Sequence, residues 1–340
     1  MFKNDIKINY LFNYWLLISL LLVFSMIIIG GLTRLTNSGL SITEWELFKG
    51  ILPPLNDLAW ENYFNLYKEI PQFKLLNYDM SLSEFKIIFY WEYFHRVLGR
   101  FIGLFFLIPL IYFHYTKQID KKNILPCYIV LILIILQGII GWYMVKSGLI
   151  NLTSVSHYRL SLHLGTAILI ISIIFWTFLN LTRNTEKKFF SLSDKNFVFM
   201  FLIFIIFTQI IIGAFVSGLD AGKIYQTWPL MGYTYIPDDL AISLIDLTNF
   251  DNHSLVQFYH RNLAYLITIY ILVISFYIFI KKNNKLYKPL LILIFFLLLQ
   301  IFLGILTLTT GLNIYLASAH QICSVLLVFS AINLYYFYIK

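Results

Sequence analysis

The stretches EYFHRVLGR (92–100) and QFYHRNLAY (257–265) follow one pattern. Each has an acid or its amide, two aromatics, His-Arg, any residue, Leu and then a small residue, within a long apolar run. Ionisable side chains inside such runs are costly to bury and mark function by default. Using the pair twice implies that the chain is built from two related halves. The difference at the first position, Glu92 against Gln257, asks what an ionisable carboxylate does in one half only.

Other segments carry the same repeat. IIIGGLTRLTNSGLSITEW (27–45) aligns with IIIGAFVSGLDAGKIYQTW (210–228), matching Gly30 to Gly213, Gly39 to Gly222 and Trp45 to Trp228. LQGIIGWYMVKSGL (136–149) aligns with LQIFLGILTLTTGL (299–312), matching Gln137 to Gln300, Gly141 to Gly304 and Gly148 to Gly311. Small residues at these places suit close approach between helices.

Of the 340 residues, 59% are hydrophobic and 12% charged. Soluble domains sit near 45–50% apolar and about 25% charged. Mean hydropathy is +0.77. The composition is that of a polytopic membrane protein. Eight apolar runs reach the ~20 residues that cross a bilayer: 10–31, 90–114, 124–145, 158–181, 197–217, 255–280, 288–309 and 316–339. Each is expected to be helical, because backbone in lipid must satisfy its own hydrogen bonds. The first run is too long for a signal-peptide core and no A-x-A site follows it, so it reads as a retained span.

The net charge of +8 does not point to nucleic acid. The lysines lie beside the spans, where they set orientation. Basic short connections carry Lys117, Lys121 and Lys122, then Arg183, Lys187, Lys188 and Lys195, then Lys281, Lys282, Lys285 and Lys288. Lys3, Lys7 and Lys340 add to the same side. The positive-inside rule predicts both termini in the cytoplasm. The long connections 32–89 and 218–254 are then extracytoplasmic, and GLSITEWELFKGILPP suggests a short interfacial helix before Pro53-Pro54.

The expected fold is all-α: eight transmembrane helices forming two pseudo-twofold-related four-helix bundles. The expected domains are 1–181 with loop 32–89, a cytoplasmic linker at 182–196, and 197–340. Cys127 and Cys323 fall in apolar runs and suggest neither a disulfide nor a zinc site. Homo-oligomers through the outer helices fit this fold.

Of seven histidines, His114, His157 and His253 stand at span ends or in a loop. His95, His163, His260 and His320 stand early in the even-numbered spans, all one to two turns inside the outer surface. Two imidazoles on facing helices of each bundle suit haem, whose iron takes neutral imidazole as an axial ligand. Zinc or copper would want further ligands nearby. Arg96 and Arg261 suit either a propionate or an anchor at the membrane interface. Arg100 and Arg159 share that ambiguity. Glu92 shares a helix face with His95, and also stands four residues before Arg96, so both a proton-handling role and an intrahelical ion pair are open.

GGLTRLTNSGLSITEW, EYFHRVLGR, YRLSLHLG (158–165), QFYHRNLAY and ASAHQ (317–321), in this order and spacing, resemble haem A synthase. The resemblance covers nearly the whole chain. It implies an oxidoreductase of the inner membrane that oxidises the C8 methyl group of haem O to a formyl group, through hydroxymethyl haem, giving haem A for cytochrome c oxidase. It implies haem b as cofactor on His260 and His320, the haem O substrate near His95 and His163, and Glu92 as the catalytic carboxylate. As partners it implies a haem O synthase, the cytochrome oxidase assembly machinery and an electron carrier whose class the residues do not specify. The first loop has no cysteine, which resembles the branch of mitochondria and related bacteria. Two other readings stay open at this point: a non-catalytic dihaem cytochrome b, and a haem-delivery membrane protein.

Overall fold

The computed structural model describes residues 2–45, 49–150, 152–190, 194–240, 243 and 245–339, with the side chains of 2–9, Lys49, Lys121, Asp194 and Lys195 set aside. The orientation signals expected from Lys3, Lys7, Lys121, Lys195 and Lys340 therefore lie outside the described side chains. Ten α-helices run through the described residues. They are α1 (Phe2–Leu35), α2 (Asp57–Lys68), α3 (Pro71–Leu76), α4 (Leu82–Tyr115), α5 (Lys121–Gly148), α6 (His157–Thr182), α7 (Asp194–Gly218), α8 (His253–Ile280), α9 (Tyr287–Thr309) and α10 (Ile314–Tyr338).

Eight of them are long and apolar enough to cross a membrane: α1, α4, α5, α6, α7, α8, α9 and α10. They coincide with the eight runs read from the sequence. Many large apolar side chains on them face outward, among them Ile108, Ile132, Leu272 and Leu291, as lipid contact requires. The protein is an all-helical multi-pass membrane protein.

The chain divides into two compact units, Met1–Phe178 and Leu179–Lys340. In the first, α4 packs against α1 and α5. In the second, α7 packs against α8 and α10, and α9 packs against the same two. Three of the four helices that carry the paired histidines start on side-chain caps. Ser81 and Glu84 close a capping box on α4, the Asn252 side chain accepts from the Leu255 amide at 3.1 Å, and Asn313 accepts from the Tyr315 amide at 3.0 Å. Each cap satisfies amides that the first turn leaves without partners.

The second spanning helix starts about two turns before the predicted 90, at Leu82. The added turns carry Glu84 and Lys86, so they lack the uniform apolarity of a lipid-facing run. They are held instead by Phe85 and Phe89, which pack with Leu40, Ile42, Trp60, Phe64 and Tyr67 into a small core of the first unit's long loop. That core organises the first long loop. Its helices α2 and α3 follow the Pro53-Pro54 pair. Before the pair, where an interfacial helix was expected, the described residues form one 3-10 turn at Lys49–Ile51; 46–48 lie outside the described residues.

Candidate functional site

Four glycines seat four imidazoles. A Cβ placed on Gly30 of α1 would lie 3.0 Å from Cε1 of His95, and one on Gly141 of α5 would lie 3.2 Å from Cε1 of His163. The second unit repeats this, at 3.1 Å for Gly213 of α7 against His260 and 2.9 Å for Gly304 of α9 against His320. Such distances are too short for an ordinary Cβ contact. The glycines therefore do more than bring helix backbones together, as the sequence suggested. Each makes room for a ring edge, so α4 is keyed to α1, α6 to α5, α8 to α7 and α10 to α9.

The seats bring the rings together in pairs. His95 and His163 have ring centres 6.4 Å apart, tilted by 54°. His260 and His320 have ring centres 6.4 Å apart, with planes at 73°. A metal–imidazole bond is about 2 Å and a ring nitrogen lies about 1.1 Å from the ring centre, so two imidazoles on opposite sides of one metal have centres ~6 Å apart. Both pairs have the separation a bis-imidazole haem needs. All four rings are half-buried, and Nδ1 of His95 and of His163 is buried without a protein hydrogen-bond partner. Among the described residues no group of three or more His, Cys, Asp or Glu gathers to hold a metal ion. The donor set, two imidazoles and nothing further, fits haem with its planar ring supplying the remaining ligands.

Glutamines lie against three of the four histidines, and two of them reach the ring itself. Gln137 Nε2 donates to the His163 carbonyl at 2.8 Å. Gln209 Nε2 donates to the His260 carbonyl at 2.9 Å and lies 3.1 Å from His260 Nδ1. Gln300 Nε2 lies 3.3 Å from His320 Nε2, and the backbone carbonyl of Gln300 lies 3.1 Å from His320 Nδ1. The repeat alignment had matched Gln137 to Gln300. Gln209 was not singled out, although it stands one helical turn before its glycine as the other two do.

Glu92 is buried, its side chain 3% exposed, and its oxygens are fully engaged. Oε1 accepts from Arg96 Nη2 at 2.6 Å and from Nε at 3.0 Å. Oε2 accepts from Ser41 Oγ and from the Ile42 amide, both at 2.8 Å. The intrahelical pair left open by the sequence is formed. Arg96 also donates to the carbonyls of Ile42 at 2.7 Å and Glu44 at 3.1 Å, and its guanidinium lies over the Trp45 ring. Ser41 and Ile42 were not foreseen, because they reach Glu92 through the fold rather than through helix spacing.

The second unit builds the same clamp without a charge pair. Gln257 Nε2 donates to the Tyr225 carbonyl at 2.9 Å. Arg261 donates to the carbonyls of Tyr225 and Thr227 at 2.9 Å each and of Leu230 at 3.2 Å. Its Nε is buried and has no protein partner. Both arginines thus hold the loop that follows the first spanning helix of their own unit. Arg100 donates to the Gly50 carbonyl at 3.1 Å, and Arg159 to the Tyr143 carbonyl at 2.7 Å.

The other three histidines stay apart from these pairs. His114 is exposed beside Tyr115 and Tyr128, and His253 is exposed at the start of α8. His157, expected at a solvated helix end, is buried against Tyr158.

Comparison with known proteins shows the family of the chain. Residues 13–332 match the family described as cytochrome oxidase assembly protein. The heme A synthase of Pelagibacter ubique (strain HTCC1062) is 47% identical over 334 residues, covering 97% of each chain. The heme A synthases of Rickettsia felis and Rickettsia canadensis are each 42% identical over 333 residues, covering 97% of this chain and 98% of theirs. The chain belongs to the haem A synthase family of cytochrome oxidase assembly proteins.

Proposed function

We propose that the protein is a haem A synthase, oxidising the C8 methyl group of haem O to a formyl group by way of hydroxymethyl haem. The observation that carries this reading is the paired architecture. Each unit holds one bis-imidazole pair 6.4 Å apart, and only the first adds a carboxylate, Glu92, on the same helix as one of the rings.

In this reading His260 and His320 hold haem b, and His95 and His163 hold the substrate haem O. Haem b supplies one-electron redox chemistry when bound. Replacing C–H bonds by C–O bonds releases protons as well as electrons, and an amide such as Gln257 cannot take a proton while a carboxylate can. Glu92 is the group for that task. Arg96 and the Ser41–Ile42 segment hold its carboxylate fixed, so it need not reorganise as charge shifts. Arg261 Nε, buried and unpartnered, is the donor most open to a haem propionate; Arg96 serves chiefly to fix Glu92 and the loop.

The lysine pattern favours cytoplasmic termini and places the site toward the outer face of a bacterial inner membrane. A haem O synthase would supply the substrate, and oxidase assembly would consume the product. The Glu92–Gln257 difference favours catalysis over a dihaem relay, whose halves would need no such asymmetry.

The test is conversion. The chain is expressed in membranes that contain haem O and a working respiratory chain, and extracted haems are resolved by chromatography with mass analysis. Haem A or hydroxymethyl haem is expected. Unchanged haem O in folded, haem-loaded protein would sink the enzyme reading.

A further inference from the structure

Just before α2 the first long loop turns an apolar stretch outward. Ile51, Leu52, Pro53, Pro54 and Leu55 follow one another without a polar side chain, and Asn56 and Asp57 end the run. Ile51, Leu52 and Leu55 are exposed, the last two at 66% and 78%. The buried core of the loop takes Trp60, Phe64 and Tyr67 and leaves these three outside. An exposed apolar run with a polar rim marks a contact surface.

Two hydrogen bonds fix its level against α4. Tyr93 Oη donates to the Ile51 carbonyl at 2.6 Å, and Arg100 Nη1 donates to the Gly50 carbonyl at 3.1 Å. The apolar run of this span begins at residue 90. Tyr93 therefore stands about 5 Å inside it, at ~1.5 Å rise per residue. Arg100 stands two turns further in, and its long side chain can reach back toward the surface. Gly50 and Ile51 thus lie level with the first turns of the span. At this level α4 exposes Tyr90, Phe94 and Phe101, part of the outward apolar surface of a spanning helix. The run from Ile51 to Leu55 adjoins that surface.

The backbone of the run suits the same place. Polar backbone groups near lipid must find partners. Pro53 and Pro54 have no N–H to satisfy, and Arg100 and Tyr93 take the carbonyls of Gly50 and Ile51. Irregular backbone exposed to lipid is not tolerated in the hydrocarbon core, and Asp57 keeps the start of α2 at the polar boundary. Any insertion is therefore shallow.

We infer that residues 51–55 are a membrane anchor, whose Ile51, Leu52 and Leu55 side chains enter the headgroup–acyl boundary of the leaflet beside the N-terminal part of α4. In the orientation proposed above this is the outer leaflet. The partner is the bilayer surface, which takes apolar side chains to a depth of about 5–10 Å in this way. The same loop carries Ser41 and Ile42 to Glu92, so the anchor ties the surroundings of that carboxylate to lipid as well as to protein. The inference needs the spans and the α4 contacts but not the haem chemistry, so it stands or falls apart from the proposed function.

The experiment measures depth. Full-length protein with Cys127→Ala and Cys323→Ala receives one cysteine at a time, Leu52→Cys or Leu55→Cys, carrying a nitroxide spin label. Ile108→Cys, on the outward surface of α4, is the lipid reference, and Asn62→Cys, exposed on α2, is the water reference. All four replace exposed side chains, and circular dichroism checks the helical fold of each. The chains are reconstituted into phosphatidylcholine–phosphatidylglycerol vesicles. Electron paramagnetic resonance then compares relaxation by oxygen, which concentrates in lipid, with relaxation by a neutral nickel chelate, supplied on both sides, which stays in water. The oxygen-to-nickel ratio at Leu52 and Leu55 should lie several-fold above that at Asn62, toward that at Ile108. A ratio equal to that at Asn62 would overturn the inference. Shielding from both relaxers would overturn it too, since a second copy of the chain would then cover the stretch.

Discussion

Glu92 and Arg96 form a buried ion pair at 2.6 Å on one face of α4, with side chains 3% and 10% exposed. The pair does not stand alone. Ser41 and the Ile42 amide bond the second carboxylate oxygen, and Arg96 bonds the carbonyls of Ile42 and Glu44. One cluster therefore ties the loop after α1 to the helix that carries His95. Removing one member leaves the other charged and buried without its partner, which costs about 3–5 kcal/mol. Arg96→Ala is expected to lower thermal stability in detergent by that order and to abolish conversion, while Arg96→Lys keeps part of both. A melting temperature unchanged by Arg96→Ala would show that the pair contributes no net stability.

The glycine seats predict a steric effect distinct from the loss of a ligand. Gly304→Ala puts a methyl group 2.9 Å from Cε1 of His320, so the ring must move while its nitrogens remain. The protein should still bind haem, with a weakened or altered bis-imidazole spectrum. Gly138, one turn before a seat and with open space around a Cβ, serves as the control. A Gly304→Ala spectrum identical to that of Gly138→Ala would refute the seat.

The cap over the first unit should matter to chemistry and not to the second haem site. Trp60 packs edge-on against Phe89 at 4.9 Å inside the core that also holds Ile42. Trp60→Ala should loosen that core by about 3–5 kcal/mol and with it the segment bonded to Glu92. Conversion should fall while the His260–His320 haem keeps its spectrum. Equal loss at both sites would indicate general misfolding instead.

Tyr67 gives the same cap a pH dependence. Its hydroxyl is buried between Gln72 at 3.0 Å and Asn77 at 2.8 Å, and burial raises its pKa above the ordinary 10.0. Folding thus favours the neutral phenol. The corresponding stability is complete below the unfolded value and is lost as pH rises through the folded one. Proteolysis of the first loop in proteoliposomes should accelerate above about pH 10, and Tyr67→Phe should flatten that rise. A wild-type rate that is level through this range would contradict it.

The sequence showed the eight spans because each is a nearly unbroken apolar run, a signal that needs no tertiary information. It singled out four histidines because all stand early in the even-numbered spans at one depth, with His95 and His260 in the repeated segment. It did not show that α4 begins at Leu82. There Glu84 and Lys86 break the apolar run, and the stabilising contacts come from α2 across the loop. Nor did it show Ser41 and Ile42 on Glu92, a contact set by the turn after α1. The glutamine seats were partly visible: the spacing to glycine is local, but its meaning depends on which ring the glycine faces.

The central claim is a division of labour, with Glu92 marking the unit that performs chemistry. Its most direct test is the haem extracted from purified Glu92→Gln protein beside wild type, both produced with haem O present and analysed by mass. Wild type should carry haem b together with haem A or hydroxymethyl haem. Glu92→Gln should carry haem b together with haem O. Haem A at equal yield from both proteins would contradict the account.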